Sequence, residues 1–400
     1  MIKDFFIYLI YIGYMMYGWT ASLLGGVWPK MSSDIGAGVT LIGILTMINY
    51  ISSGVASFTT YKIRMKLGTS YSNVLGLSLA GISMLFFANA NSFIVVAIAM
   101  VFLGASAGII DVNSNSYVVK AYETKWVSFM HACWGLGATI GPMVMSVALI
   151  YMSSYRMGFY ITFVIIILIN ILMFLAKRYW EGKKKTIDQN YVELHSVSKE
   201  EKEAKVGIVD IIKVKNALKI LICFLLANGA SCSFSTWIAT MAVEQRGLGV
   251  AEAAVASSTY FFALMIGRIF FGMLADKIGI NKTLLIIMLL SVISVICYYI
   301  PYHGSHIVYI HSAFTGFASG SLIPLLNSDL KELFETKYLS PLISFGGVFG
   351  LSGIAVSSAI MTYVANVLGI QHVHIVQIIS FTLLFLIYGS VIKNKLVKNA

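Results

Sequence analysis

Apolar residues fill long, nearly unbroken runs along the chain, and polar residues collect in the gaps between them. The runs lie at roughly 5–27, 38–61, 70–90, 93–119, 126–150, 157–176, 217–242, 251–275, 283–302, 305–330, 338–364 and 369–391. Each holds about 18 to 25 residues, enough to cross about 30 Å of hydrocarbon at 1.5 Å per residue. None alternates as a membrane strand would, and lipid offers no partners for open backbone groups, so each run reads as a helix. The expected fold is an all-α polytopic membrane protein of about twelve transmembrane helices.

One gap is long. Residues 177–216 are polar and split the chain into six runs (1–176) and six runs (217–400). Within it SKEEKEAK reads as a surface helix and GIVDIIKVK as a segment at the membrane face; the plainer reading is a cytoplasmic linker. Composition agrees with the runs: 58% of residues are hydrophobic and 11% charged, against about 45–50% and about 25% in soluble domains. The net charge of +11 is distributed as a membrane protein requires, not as a nucleic-acid binder. With the N-terminus placed in the cytoplasm, only Lys30, Arg156 and Arg246 fall outside, against a total of 28 Lys and Arg. That is the positive-inside pattern, with both termini cytoplasmic in a plasma-membrane protein. Met1 to Gly26 is read as a first span and not as a signal peptide, because its apolar part is too long. The cysteines 133, 223, 232 and 297 all fall inside runs with no CxxC pair, so no disulfide frame or metal site is expected. No nucleotide loop, metal cluster or nucleophile–base motif supports an enzyme, and no cofactor is expected beyond a coupling ion.

The two halves are related. Residues 104–137 lie over 316–349 without gaps: Gly104 on Gly316, Gly108 on Gly320, Asn115 on Asn327, Glu123-Thr124-Lys125 on Glu335-Thr336-Lys337, Ser128 on Ser340 and Gly135 on Gly347. A parallel repeat of two six-helix halves is a common plan of secondary transporters. The repeat also isolates what is not shared. Asp111 meets Ile323 and His131 meets Ile343, so the fold does not need an ionisable group at either place.

Of the 17 acids, Asp111 stands alone in its depth. It lies about nine residues, roughly 13 Å, from the cytoplasmic end of its span. Asp276, Asp329, Glu332 and Glu335 are expected near cytoplasmic helix ends. A charge at membrane depth costs at least about 2.5–3.5 kcal/mol, so it faces a cavity or a partner. Gly104, Gly108, Asp111 and Asn115 share one helical face, and the glycines admit a neighbouring helix. His131, on the next, antiparallel run, reaches a similar depth. A carboxylate with an imidazole nearby can hold, share or pass a proton, and access to water decides which. Asp111, His131 and Asn115 are therefore the ion-coupling candidates. The ion is a proton, with sodium as the alternative through the oxygens of Asp111, Asn115 and Ser114.

The segment GRIFFGMLADKIG, 267–279, resembles the G-x-x-x-D-K/R-x-G loop of the major facilitator superfamily through Gly272, Asp276, Lys277 and Gly279, preceded by Arg268. The corresponding loop of the first half, YKIRMKLG, keeps only Lys66 and Gly68. The resemblance gives these five residues a conformational-gating role. Within that superfamily, GASAGIIDVNSNSY and HACWGLGATIGP resemble the fucose:proton symporter family, whose fourth span carries an acid with an asparagine four residues on. It departs from relatives with a second acid in the first span, where Ala21 and Ser22 stand, and Ser231 replaces an acid between Gly229 and Trp237. The resemblance implies a cavity lined by the first, fourth, seventh and tenth spans. Tyr14, Trp19, Ser22, Asn228, Ser231, Trp237 and Asn327 are the substrate-binding candidates, a set suited to a neutral hydroxylated solute.

The reading is a monomeric secondary transporter working by alternating access, a proton-coupled symporter of a small neutral solute such as a sugar. GLGATIGP, 135–142, resembles the Gly-Pro motif of antiporters, which makes a proton-coupled exporter of drugs or metabolites the runner-up; a kinked, close-packed helix explains it equally. A membrane sensor that binds without moving its ligand is a third reading.

Overall fold

A computed structural model of the protein describes residues 5–121, 124–175, 208–300 and 304–399. The expected surface helix around SKEEKEAK and the residue Glu123 lie outside them. The described chain is helical: α1 (Phe5–Asp34), α2 (Ile42–Ala88), α3 (Phe93–Ala121), α4 (Thr124–Met152), α5 (Tyr155–Leu175), α6 (Ile208–Lys213), α7 (Ala217–Arg246), α8 (Val250–Ile278), α9 (Ile280–Cys297), α10 (Ser305–Ser319), α11 (Leu322–Leu333), α12 (Thr336–Val367) and α13 (His374–Asn399). Among the described residues, 11 segments are long and apolar enough to cross a membrane. Side chains such as Phe58, Ile94 and Leu175 are exposed, as a lipid-facing surface requires.

The stretch α2 is not one helix: the second and third runs stay two spans, Val39–Thr60 and Lys62–Ala88, with a kink at Gly68, where φ is +79°. Gly279, its counterpart in the second half, has φ +90° just before α9. Both loop glycines therefore sit where a side chain would be strained. One expectation changes: the run 305–330 is not one helix either. It breaks at Gly320–Ser321 into α10 and α11, with Gly320 ending the first and Pro324 in the opening turn of the second.

The chain forms two compact units. Unit 1 holds the described residues of Met1–Val39, Ile48–Glu200 and Val250–Ser258. Here α1 lies along α4 at a distance only glycine permits: a Cβ on Gly137 would meet the Met15 carbonyl, and one on Gly141 the Trp19 carbonyl. The glycines of GLGATIGP are thus occupied by helix packing, with Pro142 inside α4. Arg156 donates to the carbonyls of Ala88 and Ala90 at 2.8 Å each, tying the α2–α3 turn to α5.

Unit 2 holds the described residues of Thr40–Met47, Glu201–Gly249 and Thr259–Ala400. Its core gathers Phe224, Phe271, Leu284, Met288, Leu330, Phe381 and Tyr388. Ile211 of α6 is buried in the same core, so this short helix docks on protein.

The internal repeat recurs as a packing motif. Gly104 and Gly108 of α3 lie on the α2 backbone at the carbonyls of Asn49 and Ser53. Gly316 and Gly320 lie on the α8 backbone at the carbonyls of Tyr260 and Leu264. The pairs Gly104/Gly316 and Gly108/Gly320 thus build the same seam in each unit.

Candidate functional site

Asp111 and Asn115 are one helical turn apart on α3 and face the same way. Asn115 Nδ2 donates to Asp111 Oδ1 at 2.8 Å and to the Asp111 carbonyl at 3.1 Å. Across from them α1 brings Tyr14, whose hydroxyl donates to Asp111 Oδ1 at 2.5 Å and accepts from Asn115 Nδ2 at 3.2 Å. From α4, His131 Nδ1 stands 3.4 Å from the same hydroxyl, and its ring meets the Tyr14 ring edge-on at 5.4 Å. The three ion-coupling candidates are thus in one cluster, with Tyr14 at its centre. Asp111, Asn115 and His131 are partly buried, whereas Tyr14 is only 2% exposed.

Ser114 is not in the cluster. Asn113 and Ser114 point to α2, where Asn113 Nδ2 donates to Asn73 Oδ1 and to the Thr69 carbonyl at 2.9 Å each. Ser114 Oγ lies 3.4 Å from the same Asn73 oxygen. One face of α3 presents the carboxylate while another fastens α3 to the part of α2 that follows Gly68. The oxygen set expected for sodium is therefore divided between two faces.

The substrate candidates separate by burial. Trp237 is 0% exposed, and its indole N–H is buried with no partner among the described residues. The Trp19 indole donates to Thr162 at 3.2 Å, and Ser22 donates to the Trp19 carbonyl at 3.1 Å, both buried in the packing of unit 1. Asn228, Ser231 and Asn327 keep exposed surface in unit 2. Asn228 also donates to the Phe224 carbonyl at 3.3 Å, and the Ser231 carbonyl accepts from Tyr260 at 3.0 Å. Of these candidates, Trp19 and Ser22 bond within the packing of unit 1 and Tyr14 bonds to Asp111, whereas the buried Trp237 indole keeps its N–H unused among the described residues.

The gating set also divides. Asp276 and Lys277 are exposed, Gly272 has open space beside it, and Gly279 supplies its positive φ. Arg268 stands apart from this loop, about 12 Å up α8 from Asp276. Its Nε donates to the Gly320 carbonyl at 3.1 Å, at the break between α10 and α11. Ser321 returns a hydroxyl to the carbonyls of Gly267 and Arg268 at 3.1 and 3.2 Å. A helix break frees backbone carbonyls, and a guanidinium is a strong partner for one. Arg268→Ala is expected to cost about 1.5–3 kcal/mol of stability in thermal melts, and Lys277→Ala close to nothing.

Two polar groupings of unit 2 escaped the sequence reading. Asp329, expected near a helix end, is 0% exposed, and the Tyr388 hydroxyl lies 2.8 Å from its Oδ2 and 3.0 Å from Asn281 Oδ1. Asp111 is therefore not alone among the acids in its burial. His311 donates through Nε2 to the Ser294 carbonyl at 2.7 Å, and His374 through Nδ1 to Gln377 Oε1 at 2.6 Å, both beside the Tyr298 ring. The available signal was an ionisable residue inside an apolar run.

Comparison with known proteins follows the same lines. The sequence model of the Major Facilitator Superfamily matches residues 10–300 and 243–398. A protein of Chlamydia pneumoniae named "Probable hexose phosphate transport protein" is 22% identical over 295 residues. The match takes in 68% of this chain and 64% of that relative, so the chain spans less than two thirds of its length. The crystal structure of a D-xylose-proton symporter superposes with a TM-score of 0.76 at 12% identity, covering 96% of each chain, a likeness of fold.

Proposed function

This chain belongs to the major facilitator superfamily, and from that premise we propose that it is a secondary transporter of the plasma membrane that moves a small neutral solute such as a sugar by proton symport. The observation that carries the reading is the cluster of Asp111, Asn115, Tyr14 and His131. A carboxylate at membrane depth is costly, and the repeat has an isoleucine in its place. Asp111 takes a proton from the outer side, the loaded carrier reorients, and the proton leaves on the inner side. Coupling is the difference in proton affinity between the two states. The division of Asp111 and Ser114 between two faces of α3 favours the proton over sodium.

A second reading, an anionic sugar, has two supports: the cargo in the name of the Chlamydia pneumoniae relative and Arg268 at membrane depth in α8. Competition between sugars and sugar phosphates separates the two.

The test is uptake into proteoliposomes, after thermal-shift screening against sugars, polyols and sugar phosphates. An inwardly directed proton gradient is expected to drive accumulation that a protonophore abolishes and a sodium gradient does not replace. Uptake indifferent to the proton gradient overturns the symport reading.

A further inference from the structure

The cluster contains more than a carboxylate and its supports. Tyr14 is in hydrogen-bond reach of the other three members: Asp111 at 2.5 Å, Asn115 at 3.2 Å and His131 at 3.4 Å. The groups facing it come from three helices, Asn115 and Asp111 on α3, His131 on α4 and Tyr17 on α1 itself, whose ring packs edge-on at 5.6 Å. A phenol has one hydrogen to give and two lone pairs to receive with. This fixes what it can do in each state of the acid.

With Asp111 ionised, the carboxylate only accepts. Tyr14 gives its hydrogen to Oδ1, and its oxygen accepts from Asn115. With Asp111 protonated, the acid has an O–H to place, and the Tyr14 oxygen stands 2.5 Å from Oδ1. The phenol oxygen then accepts from both Asp111 and Asn115, its lone pairs are full, and its own hydrogen must turn elsewhere. The acceptor in reach is His131 Nδ1, in the neutral ring with its hydrogen on Nε2. We propose that the Tyr14 hydroxyl is a rotor that senses the charge on Asp111 and transmits it across helices to His131, so that through it α1 is bonded to α3 alone when the acid is ionised and to both α3 and α4 when it is protonated. The switch rests on the reading of Asp111 as the coupling group. The proton gained by Asp111 is the only one added; no bond between heavy atoms changes.

Tyr14 is on this view a positioning residue for coupling, not a substrate contact. Tyr14→Phe keeps the ring, and with it the edge-on contacts to Tyr17 and His131, and removes only the hydroxyl. His131→Leu removes the acceptor, and His131→Asn restores one near the place of Nδ1. Tyr14→Phe and His131→Leu are expected to lower proton-driven accumulation about tenfold, the worth of one hydrogen bond. His131→Asn is expected to regain most of the coupling.

Infrared difference spectra of the purified protein between acid and alkaline pH supply a readout independent of transport. The carboxyl C=O band assigned through Asp111→Asn is expected to move in Tyr14→Phe, which takes away the oxygen that the protonated acid donates to. If no band disappears in Asp111→Asn, the reading of Asp111 as the coupling group fails. If the band titrates but does not move in Tyr14→Phe, the rotor is wrong while the coupling reading stands. Equal accumulation by His131→Leu and wild type also overturns the rotor.

Discussion

Asp111→Asn is expected to leave the protein able to exchange solute across the membrane and unable to accumulate it. The amide matches the carboxyl in shape, and its oxygen can still accept from Tyr14 and Asn115, so the cluster and the packing of α1, α3 and α4 survive. What is lost is the choice between two charge states. A pH difference of one unit is worth about 1.4 kcal/mol per proton, or about tenfold accumulation by a one-proton symporter. In Asp111→Asn that ratio falls to about one whatever the gradient. Solute entering proteoliposomes with and without a pH gradient measures it, with counterflow in the same vesicles as the control. A mutant that still concentrates solute would remove Asp111 from the coupling machinery. One that loses counterflow as well would make the residue a support for the site instead of its proton carrier.

The spans were legible because burial in lipid leaves few options. A run of about 20 apolar residues must close its own hydrogen bonds, and a helix does so. Asp111 and Asn115 were legible as a pair because four residues make one turn. His131 was legible at a similar depth, but Tyr14 as the link between them was not, since nothing in the periodicity of α1 or α4 says that Tyr14 and His131 meet. That contact depends on where helices cross, which Gly18, Gly137 and Gly141 set from a distance in sequence. Trp237 shows the converse limit. An aromatic ring in an apolar run serves a cavity wall or a helix interface equally well, and the run alone does not say that Trp237 is fully buried with its indole N–H unused among the described residues. The break in the run 305–330 carried a signal, Gly320-Ser321 followed by Pro324. The hydropathy stays high through it, so the run reads as unbroken. Arg268 was attached to the loop by adjacency to its motif, although eight residues along a helix place it at another depth, beside that break.

Gly104→Ala and Gly316→Ala are expected to destabilise the two units in the same way, although their sites lie far apart in sequence. In an exposed helix interior, replacing glycine by alanine gains about 1 kcal/mol. On these seams the sign reverses. A Cβ at Gly104 would overlap the Asn49 carbonyl of α2, and one at Gly316 the Tyr260 carbonyl of α8. The obstacle in each case is backbone, which cannot swing aside as a side chain can, so the helices must part. Overpacking of this kind costs about 1–3 kcal/mol. Parting also frees neighbouring contacts, such as the Asn49 amide on the Met100 carbonyl at 3.3 Å. Gly54→Ala on α2 is the internal control, since no atom lies within 4 Å of its added carbon; it is expected to be neutral or stabilising. Melting of the purified variants in detergent, followed by intrinsic fluorescence, ranks the three. Because the repeat pairs Gly104 with Gly316, the two losses should agree in size. A loss confined to one half would mean that the shared glycines no longer do the same work in both units.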